Sequence, residues 1–170
     1  MIATGRDLDT ALEGAGFFVV ETQAGTRYTR NGHFQVNSQG HLVTSEGFAV
    51  MGNGRAIILP PGKVSIAQSG AIEVNGIAVD TLKVVDIADK TQLQKAGNSM
   101  FQAKTGAVEQ EVRDTQVRQG SLEQSNVNPV QQMMLMINMM RQFEGLQKAV
   151  NTMMNTLNEK SVNQVGRAAL

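Results

Sequence analysis

Two histidines, His33 and His41, flank the turn signal Asn37–Gly40, so a hairpin there could bring their imidazoles together. Zinc needs three or four ligands. The chain has no cysteine, and no carboxylate stands at a matching spacing. The reading is two surface histidines on a hairpin, with no metal site. Asp7 with Asp9 and Glu109 with Glu111 are paired carboxylates of the kind that serves general acid–base catalysis. Nothing in their flanks marks burial, so solvated faces are expected. The stretches "GAGFFV" and "GNGRA" each contain G-x-G, but neither reaches a third glycine or opens a helix. Both fall short of the dinucleotide fingerprint, and no cofactor is expected. The serines lack a nucleophile elbow. A single tyrosine and no tryptophan leave no stacking platform for single-stranded nucleic acid. No catalytic residue is assigned and no enzyme activity is expected. A carboxylate with perturbed titration deep in a pocket would reopen that question.

The concentrated feature is apolar. Seven of the ten methionines lie between Met133 and Met154. Met136, Met139, Phe143, Leu146, Val150, Met153 and Leu157 recur at alternating spacings of three and four. That is a heptad seam, which predicts an amphipathic helix over 128–160. Met133, Met140 and Met154 widen the seam. Asn138, Arg141, Gln142, Gln147, Lys148, Asn151, Asn155 and Glu159 occupy the other face. Asn128 suits the N-cap, and Pro129 the first helical position, where a missing N–H does no harm. The helix would be roughly 45 Å long at about 1.5 Å per residue.

The elements upstream differ in composition. Before residue 107 glycine is frequent and valine and isoleucine alternate with polar residues. Asn31-Gly32, Asn37–Gly40, Gly47, Gly52-Asn53-Gly54 and Asn75-Gly76 are turn signals between short runs of period two. "AIEVNGIAVD" is the clearest hairpin. "LPPGKVSIA" reads as a turn and a short strand, Phe17–Val20 as an apolar strand, and Leu8–Leu12 as a strand rather than a helix. Hairpin spacing predicts a mainly antiparallel sheet. The expected class is therefore mainly β with a long C-terminal α-helix. Its divisions are a β domain at 1–106, an extended return linker at 107–127, the helix at 128–160 and a flexible tail at 161–170.

Overall chemistry narrows the partners. Among 170 residues, fifteen basic side chains balance fifteen acidic ones. No basic stripe is available for phosphate, and no like-charge block for a membrane surface. The run Val127–Met140, fourteen residues interrupted by glutamines and Asn138, is shorter than the ~20 needed to span a bilayer. The N-terminus lacks the basic start and apolar run of a secretory signal. A seam of seven large side chains left in water is a patch that monomers avoid. It is covered either by the chain's own β domain or by other helices, from copies of itself, from a partner or from a segment outside this chain. Methionine favours other helices, because it adapts to slightly different neighbours.

Two blocks carry a resemblance. "GAGFFVVETQAGTRYTRNGHFQVNSQGHLVTSEGFAVMGNG" (14–54) resembles the β-domain signature of bacterial flagellar axial proteins, the rod and hook subunits. "QGSLEQSNVNPVQQMMLMINMMRQFEGLQKAVNTM" (119–153) resembles their C-terminal signature. "SNVNPV", "RQFE" followed by Lys148, and "EKSVNQVGR" are most similar to the proximal rod branch, with the distal rod branch next. Hook proteins are less similar, since their β region carries inserted domains.

The resemblance implies export in the unfolded state through the flagellar type III apparatus, without a cleaved signal. It implies helical assembly with itself and with other rod subunits into the periplasmic rod, with coiled-coil inner helices and an outer β shell. Family members begin with a long helix bearing a motif like "NNLANASTTGF", which this chain lacks. A fragment of a longer protein is therefore expected, its seam residues buried between chains in a homo-oligomer. The alternative function is a non-polymerising β-domain binding module, dimerised through its C-terminal helix.

Overall fold

The computed structural model describes residues 1–112, 114–124 and 129–168, with helix side chains described over 130–157. The chain divides into two compact units, a β unit Met1–Gln124 and a helical unit. The cap expected at Asn128 lies outside the described residues.

In the β unit the strands are, in order, β1 (Ile2–Ala3), β2 (Thr10–Glu13), β3 (Phe17–Thr22) and β4 (Gly25–Thr29). There follow β5 (Phe34–Val36), β6 (Leu42–Thr44), β7 (Ala49–Val50), β8 (Val64–Ile66) and β9 (Ala71–Val74). Then come β10 (Ile77–Thr81), β11 (Val84–Ile87), β12 (Leu93–Gly97) and β13 (Met100–Ala103). The last are β14 (Glu109–Glu111), β15 (Gln116–Gln119) and β16 (Ser121–Leu122). Every pairing between these strands is antiparallel, as the hairpin spacing predicts. The largest sheet runs β12-β13-β4-β3-β7-β6-β5, with β11 joined to β3 and β14 joined to β11. A second sheet has the order β10-β9-β8, and β2-β15 and β1-β16 form two-stranded ribbons.

Strand β3 is the hub. It bonds β4 along one edge, and β7 and β11 along the other. Its run "FFVVET" puts apolar residues on both faces, so both faces are covered. Phe18 and Val20 enter the main core with Leu12, Phe34, Leu42, Val50, Ile57 and Ile72. Val19 enters a second cluster with Tyr28, Val85 and Ile87. Phe18 meets Phe34 edge to face at 5.2 Å between ring centres.

Turn chemistry explains most connections. Asn75 (φ 53°) and Gly76 (φ 79°) both take the left-handed conformation that a two-residue hairpin between β9 and β10 requires. Asn37–Gly40 closes β5 on β6 through Gly40 N–H to the Asn37 carbonyl at 3.0 Å.

Asn31-Gly32 is different. Strand β4 pairs with β3 and β13, and β5 pairs with β6, so the strands on either side of Asn31-Gly32 form no hairpin. Gly32 is needed for close approach instead: a Cβ there would lie 1.8 Å from the carbonyl oxygen of Thr10. The Thr10 N–H donates to the Gly32 carbonyl at 2.9 Å.

The described part of the return segment, up to residue 124, belongs to the β unit and carries short strands. It lays β14 on β11, β15 on β2 and β16 on β1. Gln119 also acts as a surrogate strand partner for β8. Its Oε1 accepts from Ile66 N–H at 3.1 Å, and its Nε2 donates to the Val64 carbonyl at 3.0 Å.

Candidate assembly interface

Helix α1 spans Pro129–Ala168, 40 residues, or about 60 Å. Its sequence holds no proline after the first position, and methionine, leucine, glutamine, lysine and alanine are good helix formers. Thr152 and Thr156 satisfy their hydroxyls by donating to the carbonyls of Lys148 and Thr152, each at 2.8 Å.

The described helix side chains, 130–157, are all exposed. The seam residues Met136, Met139, Phe143, Leu146, Val150, Met153 and Leu157 range from 57% to 71% exposed. Shallow hollows lie along them, one bounded by Phe143, Leu146 and Val150 and another by Met153, Thr156 and Leu157. Hollows between successive turns are what a knob from a second helix fills.

The exposed apolar surface is wider than the heptad pattern. Met134 and Ile137 are also exposed, and Ile137 follows Met136 by one residue, about 100° round the helix. Met134 likewise lies across from the seam. Between Met133 and Met140 the helix is thus apolar nearly all round, broken by Asn138. Beyond Arg141 it is apolar on one side. Reading for a single stripe missed this asymmetry, although the run "MMLMINMM" carries it.

The β unit holds polar clusters that sequence spacing did not anticipate. His33 and His41 do not meet. In the β5–β6 hairpin Asn37 N–H donates to the His41 carbonyl, while His33 bridges to Asp9 and His41 to Ile58. Asp9, expected on a solvated face, is buried and lies within hydrogen-bond distance of both His33 and Thr4.

Tyr28 donates its hydroxyl to Glu109 Oε1 at 2.6 Å, and Lys83 Nζ reaches Glu109 Oε2 at 3.0 Å. Burial and then the Glu109 hydrogen bond push the Tyr28 hydroxyl above its ordinary range. The Tyr28 hydrogen bond and then Lys83 hold the Glu109 carboxyl below its usual range. That is the opposite of what a general acid needs, so the carboxylate beside the β11–β14 cleft reads as a structural tie. Among the described residues, no group of three or more His, Asp or Glu side chains could hold a metal ion. Among the same residues, no helix is long and apolar enough to cross a membrane.

Comparison with known proteins matches both parts of the chain. Residues 11–74 match the model of the flagellar hook protein FlgE/F/G D1 domain, and residues 118–161 that of the flagellar basal body rod FlgEFG protein C-terminal region. The flagellar basal-body rod protein FlgF of Caulobacter vibrioides is 35% identical over 98% of this chain and 69% of its own length. FlgF of Salmonella typhimurium is 36% identical over 95% of this chain and 69% of its own length. The rod protein FlgG of Bacillus subtilis is 31% identical over 92% of this chain and 65% of its own length. The chain therefore spans about two thirds of these relatives. With its β unit and its helix matched in the same order by models of one structural, non-enzymatic family, the chain belongs to the flagellar basal-body rod proteins, the proximal rod branch being favoured.

Proposed function

We propose that this structural subunit of the basal-body rod works by polymerising with copies of itself and with other rod subunits, through α1 and the β unit, into the periplasm-spanning drive shaft of motility. One observation carries the reading: the apolar surface of α1 is one-sided beyond Arg141 and nearly all-round between Met133 and Met140. Each large apolar side chain gains about 1.5–3 kcal/mol on full burial. A closed pair of helices covers one edge and leaves Met134 and Ile137 in water. A helix flanked by several neighbours, as in a tube wall, covers the whole circumference. The polymer is thereby favoured over the dimerised binding module.

The working residues are Met136, Met139, Phe143, Leu146, Val150, Met153 and Leu157, which act by packing as coiled-coil knobs. Export through the type III apparatus in the unfolded state fits a chain without cysteine, which has no disulfide to form before assembly.

The test is Phe143→Asp in the rod protein expressed in the bacterium, read by electron microscopy of isolated basal bodies and by circular dichroism of the purified chain. A charge buried without a partner is strongly unfavourable. Rods are expected to be absent while the β signature persists. Normal rods carrying the substitution would overturn the assembly role of the seam.

A further inference from the structure

Helix α1 concentrates oxidisable sulfur on the surface that the proposed assembly must bury. Met133, Met134, Met136, Met139, Met140, Met153 and Met154 are 59–71% exposed, whereas Met100 in the β core is 6% exposed. The chain has no cysteine to intercept an oxidant and no tryptophan, and its one tyrosine is buried. Met1, outside the assembly surface, is also exposed at 55%, so peroxide meeting the free subunit finds the helix thioethers and Met1 well before Met100.

We propose that α1 carries an oxidation switch: peroxide-class oxidants convert its exposed methionines to sulfoxides in the free subunit, and the oxidised helix does not assemble. This rests on the reading of α1 as an assembly surface. The step balances. A sulfur lone pair attacks one peroxide oxygen, an S–O bond forms as the O–O bond breaks, and the departing hydroxide takes the proton of the new sulfur-bound hydroxyl, leaving sulfoxide and water. Sulfur loses two electrons and peroxide gains them. The product turns a flexible apolar side chain into a strong dipole and acceptor, whose burial without a donor is unfavourable.

Position makes the switch regional. Five of the seven sulfurs lie in Met133–Met140, where the helix is apolar nearly all round and several neighbours must cover it. Phe143, Leu146 and Val150 in the middle do not oxidise under these conditions. Oxidation thus removes the multi-neighbour contacts while leaving a central apolar stripe. Burial in the assembly closes the same sulfurs to oxidant, so the assembled state is protected and the free subunit is vulnerable.

The experiment treats the purified chain with hydrogen peroxide, maps sulfoxides by peptide mass spectrometry and follows self-association by sedimentation velocity. A second arm adds both methionine sulfoxide reductases, one for each epimer. A third arm applies peroxide to protein that is already associated, whose helix sulfurs are covered. The expected result is sulfoxide on the helix before Met100, loss of association, and recovery with the reductases. Already associated protein is expected to gain helix sulfoxide more slowly than free subunit. The switch is overturned if oxidised protein associates like untreated protein, or if associated and free protein oxidise on the helix at the same rate. If untreated protein sediments as a monomer at all concentrations, the assembly reading fails first and the switch fails with it.

Discussion

Nδ1 of His33 lies 2.8 Å from Oδ1 of Asp9, a carboxylate that is 1% exposed. The other carboxylate oxygen accepts from the Thr4 hydroxyl at 2.6 Å. Asp9 also joins through its backbone, its carbonyl accepting from Gly120 N–H at 2.7 Å. One side chain therefore ties the loop after β1 to the start of β5, beside the β1–β16 ribbon.

Asp9→Ala leaves the His33 and Thr4 groups without their acceptor. Removing one member of a buried polar pair is costly because the remainder stays desolvated. His33 is part-exposed, which places the effect at about 1–3 kcal/mol by urea denaturation, the cost of leaving a buried polar group without its partner. Amide exchange at Thr4, whose N–H donates to the Gly120 carbonyl, is expected to accelerate more than exchange in β3. A loss below about 0.5 kcal/mol would show that water replaces the carboxylate freely.

Gly32 and Gly145 are expected to respond to alanine in opposite directions. At Gly32 the new Cβ meets Thr10 backbone, which cannot swing aside as a side chain can. Destabilisation of at least about 4 kcal/mol, or failure to fold, is expected. At Gly145 an added Cβ meets nothing within 4 Å, and alanine is favoured over glycine in a helix by about 0.8–1.0 kcal/mol. Gly145→Ala should raise helical ellipticity and leave the β unit unchanged. Equal tolerance at the two sites would mean that β2 does not pass Gly32 at the described separation.

These contrasts show what the sequence could disclose. The turns at Asn75-Gly76 and Asn37–Gly40 were legible because the chemistry that makes them is local. Asn31-Gly32 carries the same letters, but there the glycine answers to Thr10, twenty-two residues away. The β12–β13 hairpin escaped because its turn is Asn98-Ser99, with φ 48° and 58°, and serine is a weak signal for that conformation. The return segment offers Val108, Val112 and Val117 with no shared period, since its short strands pair with three different partners. The Tyr28–Glu109 tie spans 81 positions, a distance at which no spacing rule operates. The seam residues of α1 were readable as a pattern because helical periodicity is local.

Stability is expected to fall at both pH extremes through the Tyr28–Glu109–Lys83 tie. The Glu109 carboxyl is held below its unfolded value, so its contribution is complete above the ordinary carboxylate range and is lost as pH falls through the folded value. Tyr28 is held above its unfolded value, so its contribution is complete below about pH 10 and is lost as pH rises further. Tyr28→Phe should cost about 1.5–3 kcal/mol at neutral pH, as a hydrogen bond to a charged acceptor does. Denaturation midpoints across pH should show a smaller acid and alkaline fall in the variant. Parallel profiles for the two proteins would assign the pH dependence elsewhere.

Ile137→Glu separates the polymer from the closed dimer. Ile137 is exposed and follows Met136 by one residue, which turns it about 100° away from that seam position. In a two-helix seam it faces water, and a glutamate there is harmless. In a helix covered on several sides, the same glutamate is buried without a partner. Phe143→Asp blocks both architectures and serves as the positive control. The expected outcome in the bacterium is loss of rods with Ile137→Glu as well, while the purified chain keeps any pairing that the seam alone supports. Rods that form normally with Glu at this position would confine assembly to the seam, and the requirement for neighbours on more than one side of α1 would fall.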